Sequence, residues 1–241
     1  MKPVLIMPVL AALLFAAACG GSDGPTSVGQ AARVRFFNAT TGMTGSGGFT
    51  TNGQFVTGSA LAFGQSTPTC TAVNAGTTAF GFGVANPDGT GLNGVAIATL
   101  NNQSLTAGGD FTVVTAGSTT NTTLFLLDNT FSVSLGSNDA AVRFVNLAPG
   151  TGTSANTFNV LTGTLGSGPT TIVATNIAVG APTPFATVTS GSNTFTVLIG
   201  HQLPTLTNVT LDLQAGTVNT IAIVPNATLS GFQLIDIPRC S

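Results

Sequence analysis

Apolar residues recur along most of the chain in short runs, separated by turn residues such as Gly, Asn, Asp, Ser and Pro. Within many runs apolar and polar positions alternate with the two-residue period of a β-strand, and Phe, Val, Ile and Thr are frequent. After the N-terminal region, no stretch holds an apolar helical period for three turns. The pattern predicts an all-β protein.

The runs predict eight strands in each half of the chain. In the first half they span 33–38, 54–57, 60–63, 70–73, 77–84, 94–101, 111–116 and 122–128. In the second half they span 141–146, 157–161, 171–177, 185–188, 193–199, 205–213, 217–224 and 231–237. Short strands at this spacing, with turn signals between them, are typical of an antiparallel β-sandwich.

The two halves repeat each other. The stretch "AARVRFFNA" at 31–39 returns as "AAVRFVNLA" at 140–148, so that Arg35 corresponds to Arg143. "LTAGGDFTVV" from Leu105 matches "LQAGTVNTIA" from Leu213 at the same offset in numbering, and "LFLLD" matches "FQLID" at that offset too. Between these blocks the offset is longer, with 74–84 best matching 189–199, as insertions in loops would produce.

The repeat predicts two homologous sandwich domains, one over 33–136 and one over 137–241. A single β-barrel formed by the whole chain is the alternative. The repeat disfavours it, because each copy carries a full set of strands.

Charge is scarce and excludes two classes of partner. Only 5% of the residues are charged, against about 25% in typical proteins, and Glu, Tyr and Trp are absent. Residues 19–241 hold four arginines and seven aspartates, a net charge of −3. This inventory provides no basic patch for nucleic acid and no attraction to anionic lipid headgroups.

The N-terminal sequence "MKPVLIMPVLAALLFAAACGGSDG" predicts an export signal at 1–18, since a basic residue, an apolar run and small residues follow in order. It resembles the lipobox of bacterial lipoproteins, although Ala16 stands where that family usually has Leu. The resemblance implies a lipid on Cys19 and a place in the bacterial cell envelope, facing the periplasm or exterior. The residues after Cys19 hold no packed-core pattern, so a flexible tether is predicted over 19–32. The alternative is an ordinary signal peptide that leaves Cys19 as an incidental thiol.

If Cys19 carries lipid, Cys70 and Cys240 remain as a pair. An oxidising compartment favours a disulfide between them, and the alternative is two separately buried thiols.

The repeated blocks "ARVRFFNAT", "AAVRFVNLAPG", "LTAGGDFTVV" and "LFLLDNTF" resemble a bacterial family of exported tandem domains of unknown function. The family usually has an Asp-containing strand after the opening one, and Asn159 stands there in the second copy. The resemblance implies two tandem immunoglobulin-like sandwiches after a signal helix and tether, and a surface location. It implies no activity.

Strand alternation places Arg33, Arg35 and Phe37 on one face of the first repeated strand. Asp128 and Asp236 close the two copies at matching positions. We expect structural ion pairs between Arg35 and Asp128 and between Arg143 and Asp236. The alternative is that all four groups are solvated at sheet edges, where pairing contributes about 0–1 kcal/mol.

No catalytic, metal-binding or cofactor-binding residue is predicted. His201 is the single histidine and has no recognisable partner. "NPDGTG" at 86–91 resembles a calcium loop faintly, but it offers one carboxylate, Asp88, and Asp-Gly is a hairpin-turn signal.

The sequence therefore favours a non-catalytic lipoprotein, held to the membrane by its lipid, that binds or scaffolds an envelope protein or polysaccharide. The alternatives are a glycan-binding protein, which the lack of Trp and Tyr disfavours, and a self-assembling surface-layer component. A hydrolase built around His201 is a further alternative.

Overall fold

A computed structural model describes residues 30–148, 157–163, 171–199, 207–226 and 231–240. The described chain is all-β, and the predicted signal helix and most of the predicted tether lie outside it. Within these ranges no helix has the length and apolar character needed to cross a bilayer. The strands are β1 (Ala32–Phe37), β2 (Thr40–Thr41), β3 (Gly47–Thr51), β4 (Gln54–Phe55), β5 (Thr71–Val73), β6 (Gly76–Val84), β7 (Ala98–Leu105), β8 (Asp110–Ser118), β9 (Asn121–Asp128), β10 (Asp139–Asn146), β11 (Phe158–Thr162), β12 (Thr171–Ile177), β13 (Ala186–Thr189), β14 (Gly191–Ile199), β15 (Thr207–Leu213), β16 (Val218–Pro225) and β17 (Phe232–Ile237).

Strands β1 to β9 form the first sandwich. One sheet has the order β2-β8-β1-β5, with β9 also paired to β8, and the other has the order β4-β3-β6-β7. Side chains from the facing sides of the two sheets fill the core between them. Its centre is a group of mutually tilted phenylalanine rings, in which the centre of the Phe49 ring lies 5.0 Å from that of Phe36 and 4.8 Å from that of Phe82.

Strands β10 to β17 form the second sandwich, from sheets of order β13-β10-β16-β17 and β12-β11-β14-β15. Its core contains Phe144, Phe158, Phe195, Ile221 and Ile223. Each of the eight strands predicted for the second half has a counterpart among β10 to β17.

The sheet that contains β1 and the sheet that contains β10 are mixed, whereas the sequence predicted antiparallel sandwiches. The other two sheets are antiparallel. Strand β1 pairs with β8 in parallel, with Arg35 opposite Thr112. Strand β10 pairs with β16 in parallel, with Arg143 opposite Thr220. The two registers match at the repeat offset, so both copies fold with the same strand at the centre.

The first half differs from the prediction around β3. The run at 60–63 forms only an isolated bridge from Leu61 to Gly47. The prediction lacks the two-residue strand β2 and the longer strand β3. Its two glycines hid it, because glycine carries no strand signal. The fold needs them, since a Cβ at Gly47 would lie 2.3 Å from the Phe82 ring and one at Gly48 would lie 2.7 Å from the Phe55 ring.

A third apolar cluster lies between the two sandwiches, which we call the seam. The sheet containing β1 and β8 and the sheet containing β10 and β16 pack against each other. Each uses the face that points away from the core of its own sandwich. The apolar residues buried there are Phe37, Ala39, Val114, Ala116, Leu127, Val145, Leu147, Ala222, Val224 and Ile237. The described chain is thus a stack of four sheets whose two inner sheets are covered on both faces.

Candidate functional site

The repeated arginines lie in the seam, which explains why the chain carries the strand twice. On β1 and β10 the residues on one side of each strand enter a sandwich core, and Arg35 and Arg143 point the other way. Their exposed fractions are 6% and 4%. A buried guanidinium is costly unless its donors are satisfied, so each arginine needs partners within the seam.

All three guanidinium nitrogens of Arg143 donate a hydrogen bond. It donates from Nη1 to the Asp128 carbonyl oxygen at 2.6 Å, from Nη2 to Asn129 Oδ1 and from Nε to Thr220 Oγ1 at 3.0 Å. Its guanidinium carbon lies 4.7 Å from the centre of the Phe185 ring, a cation–π contact. Arg143 therefore fastens the second sandwich to the segment that leaves the first one.

Burial lowers the pKa of Arg143 to about 10, while nearby Asp128 acts in the opposite direction. Because this value lies far above neutral pH, the side chain remains a cation and all its N–H groups stay available as donors.

Arg35 makes the reciprocal contact. It donates from Nη2 to the carbonyl oxygen of Arg239 at 3.2 Å, in the tail that follows the last strand of the second sandwich, and from Nη1 to the Thr67 carbonyl oxygen. Its Nε finds no hydrogen-bond partner among the described residues. Burial lowers the pKa of Arg35, and Asp110 partly offsets that effect.

Asp110 and Asn129 connect the two arginine sites. Asn129 donates from Nδ2 to Asp110 Oδ1 at 2.8 Å and to Thr112 Oγ1 at 2.9 Å, while its Oδ1 accepts from Arg143. Asp110 Oδ2 lies 3.5 Å from Arg239 Nε, close enough for an ion pair although no hydrogen bond joins the two atoms. The polar groups of the seam thus form one chain from Arg143 to Arg239.

The expected ion pairs are replaced by these contacts. All four groups lie among the described residues, and neither Arg35–Asp128 nor Arg143–Asp236 forms a salt bridge there. The alternative of solvated arginines is also wrong for Arg35 and Arg143, because both are buried. The physical reason is that each arginine faces the other copy, where it binds backbone carbonyls.

The disulfide expected from the sequence is present. Cys70 and Cys240 are joined at a Cα–Cα distance of 5.7 Å across a separation of 170 residues. Cys240 follows Arg239, so the bridge fixes the tail whose carbonyl accepts from Arg35. It therefore links the two sandwiches covalently.

Two glycines make a second reciprocal contact. Gly64 donates to the Asn38 carbonyl oxygen and Gly180 to that of Asn146, so they occupy equivalent turns. A Cβ at Gly64 would lie 3.0 Å from Ile235 of the second sandwich, and one at Gly180 would lie 2.0 Å from the Phe125 ring of the first. Both have left-handed backbone angles, with φ of 78° and 76°. Glycine suits each turn for its conformation and for the close approach.

At one end the seam opens into a cleft of about 520 Å³. Arg33 of the first sandwich lines it, opposite Asn219, Asp236 and Arg239 of the second. The Asp236 carboxyl keeps contact with solvent, but the surrounding protein excludes enough water to raise its pKa. The cleft exists only where the two sandwiches meet.

The remaining predicted positions carry no site that the structure describes. The "NPDGTG" segment is a turn, in which Asp88 Oδ1 accepts from Thr90 N at 3.0 Å and Thr90 Oγ1 at 2.8 Å. These bonds lower the pKa of Asp88. No group of three or more His, Cys, Asp or Glu side chains suited to a metal occurs in the described ranges. Cys19 and His201 lie outside them.

Little in the sequence pointed to Asn129, Asp110 and Arg239. None of the three repeats, since the equivalent positions in the other copy hold Ile237, Val218 and Phe131. The signal available was the run of adjacent apolar residues in β8 and β16, such as Val113 with Val114, which indicates a strand buried on both faces.

Known proteins resemble this chain distantly in structure, and not in sequence. No family model matches the chain, and no curated protein matches it. Among solved structures it is similar to the Bacillus anthracis TIE protein, with 7% identity, a TM-score of 0.26 and coverage of 81% of this chain and 34% of that one. The chain thus spans about a third of that protein's length, and a likeness this weak carries no argument about function.

Proposed function

We propose that this protein is a non-catalytic lipoprotein of the bacterial cell envelope whose two sandwiches act together as a rigid binding or scaffolding module. The observation that carries the proposal is the seam. Apolar packing, two buried arginines and a disulfide hold the sandwiches in one orientation, so surfaces on both are displayed at fixed spacing.

The disulfide supports a location outside the cytoplasm, because such bridges persist in oxidising compartments. The N-terminal sequence supports attachment through Cys19. Two or more acyl chains would hold the body stably at a membrane, whereas one alone binds marginally.

Attachment is tested by metabolic labelling with a radioactive fatty acid, followed by separation of membrane and soluble fractions. We expect label on the wild-type protein and none on Cys19→Ser. Equal labelling of both proteins, or recovery of the wild-type protein in the cytoplasm, would overturn the anchored location.

Binding is tested by cross-linking in intact cells and capture of the full chain. We expect a defined set of envelope components with the wild type, and a depleted set with Arg143→Leu, which keeps the lipid but disrupts the seam. If Arg143→Leu captures the same set, binding does not depend on the fixed orientation of the two sandwiches.

A screen against hydrolase substrates compares the wild type with His201→Ala, and we expect no activity that depends on this histidine.

A further inference from the structure

The cleft at the end of the seam has the chemistry of an anion site. Arg33 comes from β1 and Arg239 from the C-terminal tail, and both residues line the same cleft. The chain holds four arginines beyond its N-terminal region, so two of the four meet here in a protein whose net charge is −2.

Donors in the cleft are left unused by the protein. The Arg33 side chain is exposed and makes no hydrogen bond or ion pair with any described residue. Arg239 has its Nε beside Asp110, and its terminal nitrogens donate to no described residue. An arginine fork with free donors matches the paired oxygens of a carboxylate or phosphate.

Neither arginine recurs in the other copy. In the repeat alignment Ala141 takes the place of Arg33 in the second copy, and Phe131 takes the place of Arg239 in the first. The core of a single sandwich therefore forms without an arginine at either position, although Arg239 also lies beside Asp110 in the seam. By contrast, Arg35 and Arg143 recur and are buried in contacts that join the sandwiches.

Asp236 narrows the class of anion. It lines the same cleft, and a carboxylate in this place opposes a compact, multiply charged ion and accepts hydrogen bonds from hydroxyl groups. A ligand with a single carboxylate and neighbouring hydroxyls satisfies the arginines and the aspartate together. Uronic acid residues have this chemistry, and they can be recognised through charge where Trp and Tyr platforms are absent.

We propose that the cleft lined by Arg33, Asp236 and Arg239 binds a hydroxylated carboxylate, as found in uronic acid units of acidic polysaccharides. This inference deepens the proposed binding function and rests on it for its biological setting. The disulfide belongs to the site, because Cys240 lines the cleft beside Arg239 and fixes the tail that carries it.

The proposal is tested by isothermal titration of the full chain in detergent micelles with sodium galacturonate and its trimer. Galactose, acetate and inorganic phosphate are the comparison ligands. We expect saturable binding of galacturonate, no binding of galactose, and weaker binding of acetate and phosphate. Tighter binding of the trimer would indicate a polymer as the source, and equal binding of monomer and trimer a free sugar acid; either outcome supports the site.

Variants assign the binding to the cleft. Arg33→Gln should weaken galacturonate binding by about tenfold or more without loss of thermal stability, since the second copy folds with alanine there. Gln54→Glu makes the same change of net charge at an exposed position on the outer sheet and should leave binding unchanged. Asp236→Asn should reduce the preference for galacturonate over acetate.

The inference is overturned if galacturonate does not bind, if Arg33→Gln binds it as well as the wild type does, or if phosphate binds more tightly. If the chain captures envelope components but does not bind galacturonate, this inference is wrong and the proposed binding function stands. If the chain binds galacturonate but captures no envelope components, the proposed rigid scaffold is wrong and this inference stands.

Discussion

Arg35 and Arg143 occupy equivalent positions in the two copies, yet they are not equally satisfied. Thr220, opposite Arg143 on the neighbouring strand, accepts from its Nε. Thr112 is opposite Arg35 in the same register, but Asn129 donates to it instead, and the Arg35 Nε is left without a partner among the described residues. The repeated residues therefore place one arginine of each copy in the seam. Asn129, which does not recur in the second copy, determines which hydrogen bonds each arginine can make.

The seam is reciprocal in the way that a two-fold interface is. Each arginine binds a carbonyl in the segment that ends or follows the other copy's last strand, and each glycine turn packs on that strand. The copies differ in what holds that segment. After the first copy the chain continues into the second sandwich, whereas the tail after the second copy is held by the disulfide, which supplies a covalent link of its own.

The largest effect is expected at Arg143. Arg143→Leu should lower the free energy of unfolding by about 3–5 kcal/mol, because it leaves the Asp128 carbonyl, the buried Asn129 amide oxygen and the Thr220 hydroxyl without this donor. Arg35→Leu should cost about 1–3 kcal/mol, because Arg35 makes fewer bonds. Urea unfolding of both variants measures the difference, and equal losses would contradict the asymmetry.

Loss of the disulfide comes next. Cys70→Ser combined with Cys240→Ser should lower the free energy of unfolding by about 2–4 kcal/mol, since the bridge closes a long loop and fixes the tail. Reduction of the wild type serves as the matched measurement. A Tm that does not move under reduction would show that the tail is held without the bridge.

Substitution in the glycine turn of the second copy should lower stability more than substitution in that of the first, as expected for the two arginines. Gly180→Ala should cost about 2–3 kcal/mol, because the new Cβ overlaps the Phe125 ring at a left-handed residue. Gly64→Ala should cost about 1 kcal/mol, since the terminal methyl of Ile235 can move aside. Thermal unfolding of the two variants compares the turns, and a larger loss at Gly64 would reverse the account.

The smallest effect is expected at Asp88, in an exposed turn outside the seam. Its pKa is lower in the folded chain than in the unfolded one, so its ionised form favours folding above the unfolded pKa. That contribution should vanish as the pH falls through the lowered pKa. The difference in Tm between wild type and Asp88→Asn, followed from neutral to strongly acidic pH, should shrink toward zero, and a difference that grows would contradict the sign.

Much of the fold was predictable because strands and turns leave local patterns in the sequence. The two-residue alternation located most of the strands, and the constant offset between the repeated blocks related Arg35 to Arg143. Alternation also placed Arg35 and Phe37 on one face correctly. What that face meets was not predictable, since packing between copies leaves no periodic signal.

The misplaced features depend on contacts between residues far apart in the sequence. The parallel pairing of β1 with β8 joins residues separated by about a third of the chain, and no local signal distinguishes it from antiparallel pairing. Strand β3 was missed because Gly47 and Gly48 are required by the Phe82 and Phe55 rings against them. The cleft around Arg33 and Arg239 brings together residues from opposite ends of the described chain.

Differential scanning calorimetry of the full chain tests most directly whether the seam makes one body of two sandwiches. We predict a single transition whose calorimetric and van't Hoff enthalpies agree, because neither sandwich keeps its inner sheet covered when the other unfolds. Two separate transitions in the oxidised wild-type protein, each accounting for about half of the total enthalpy, would contradict the account.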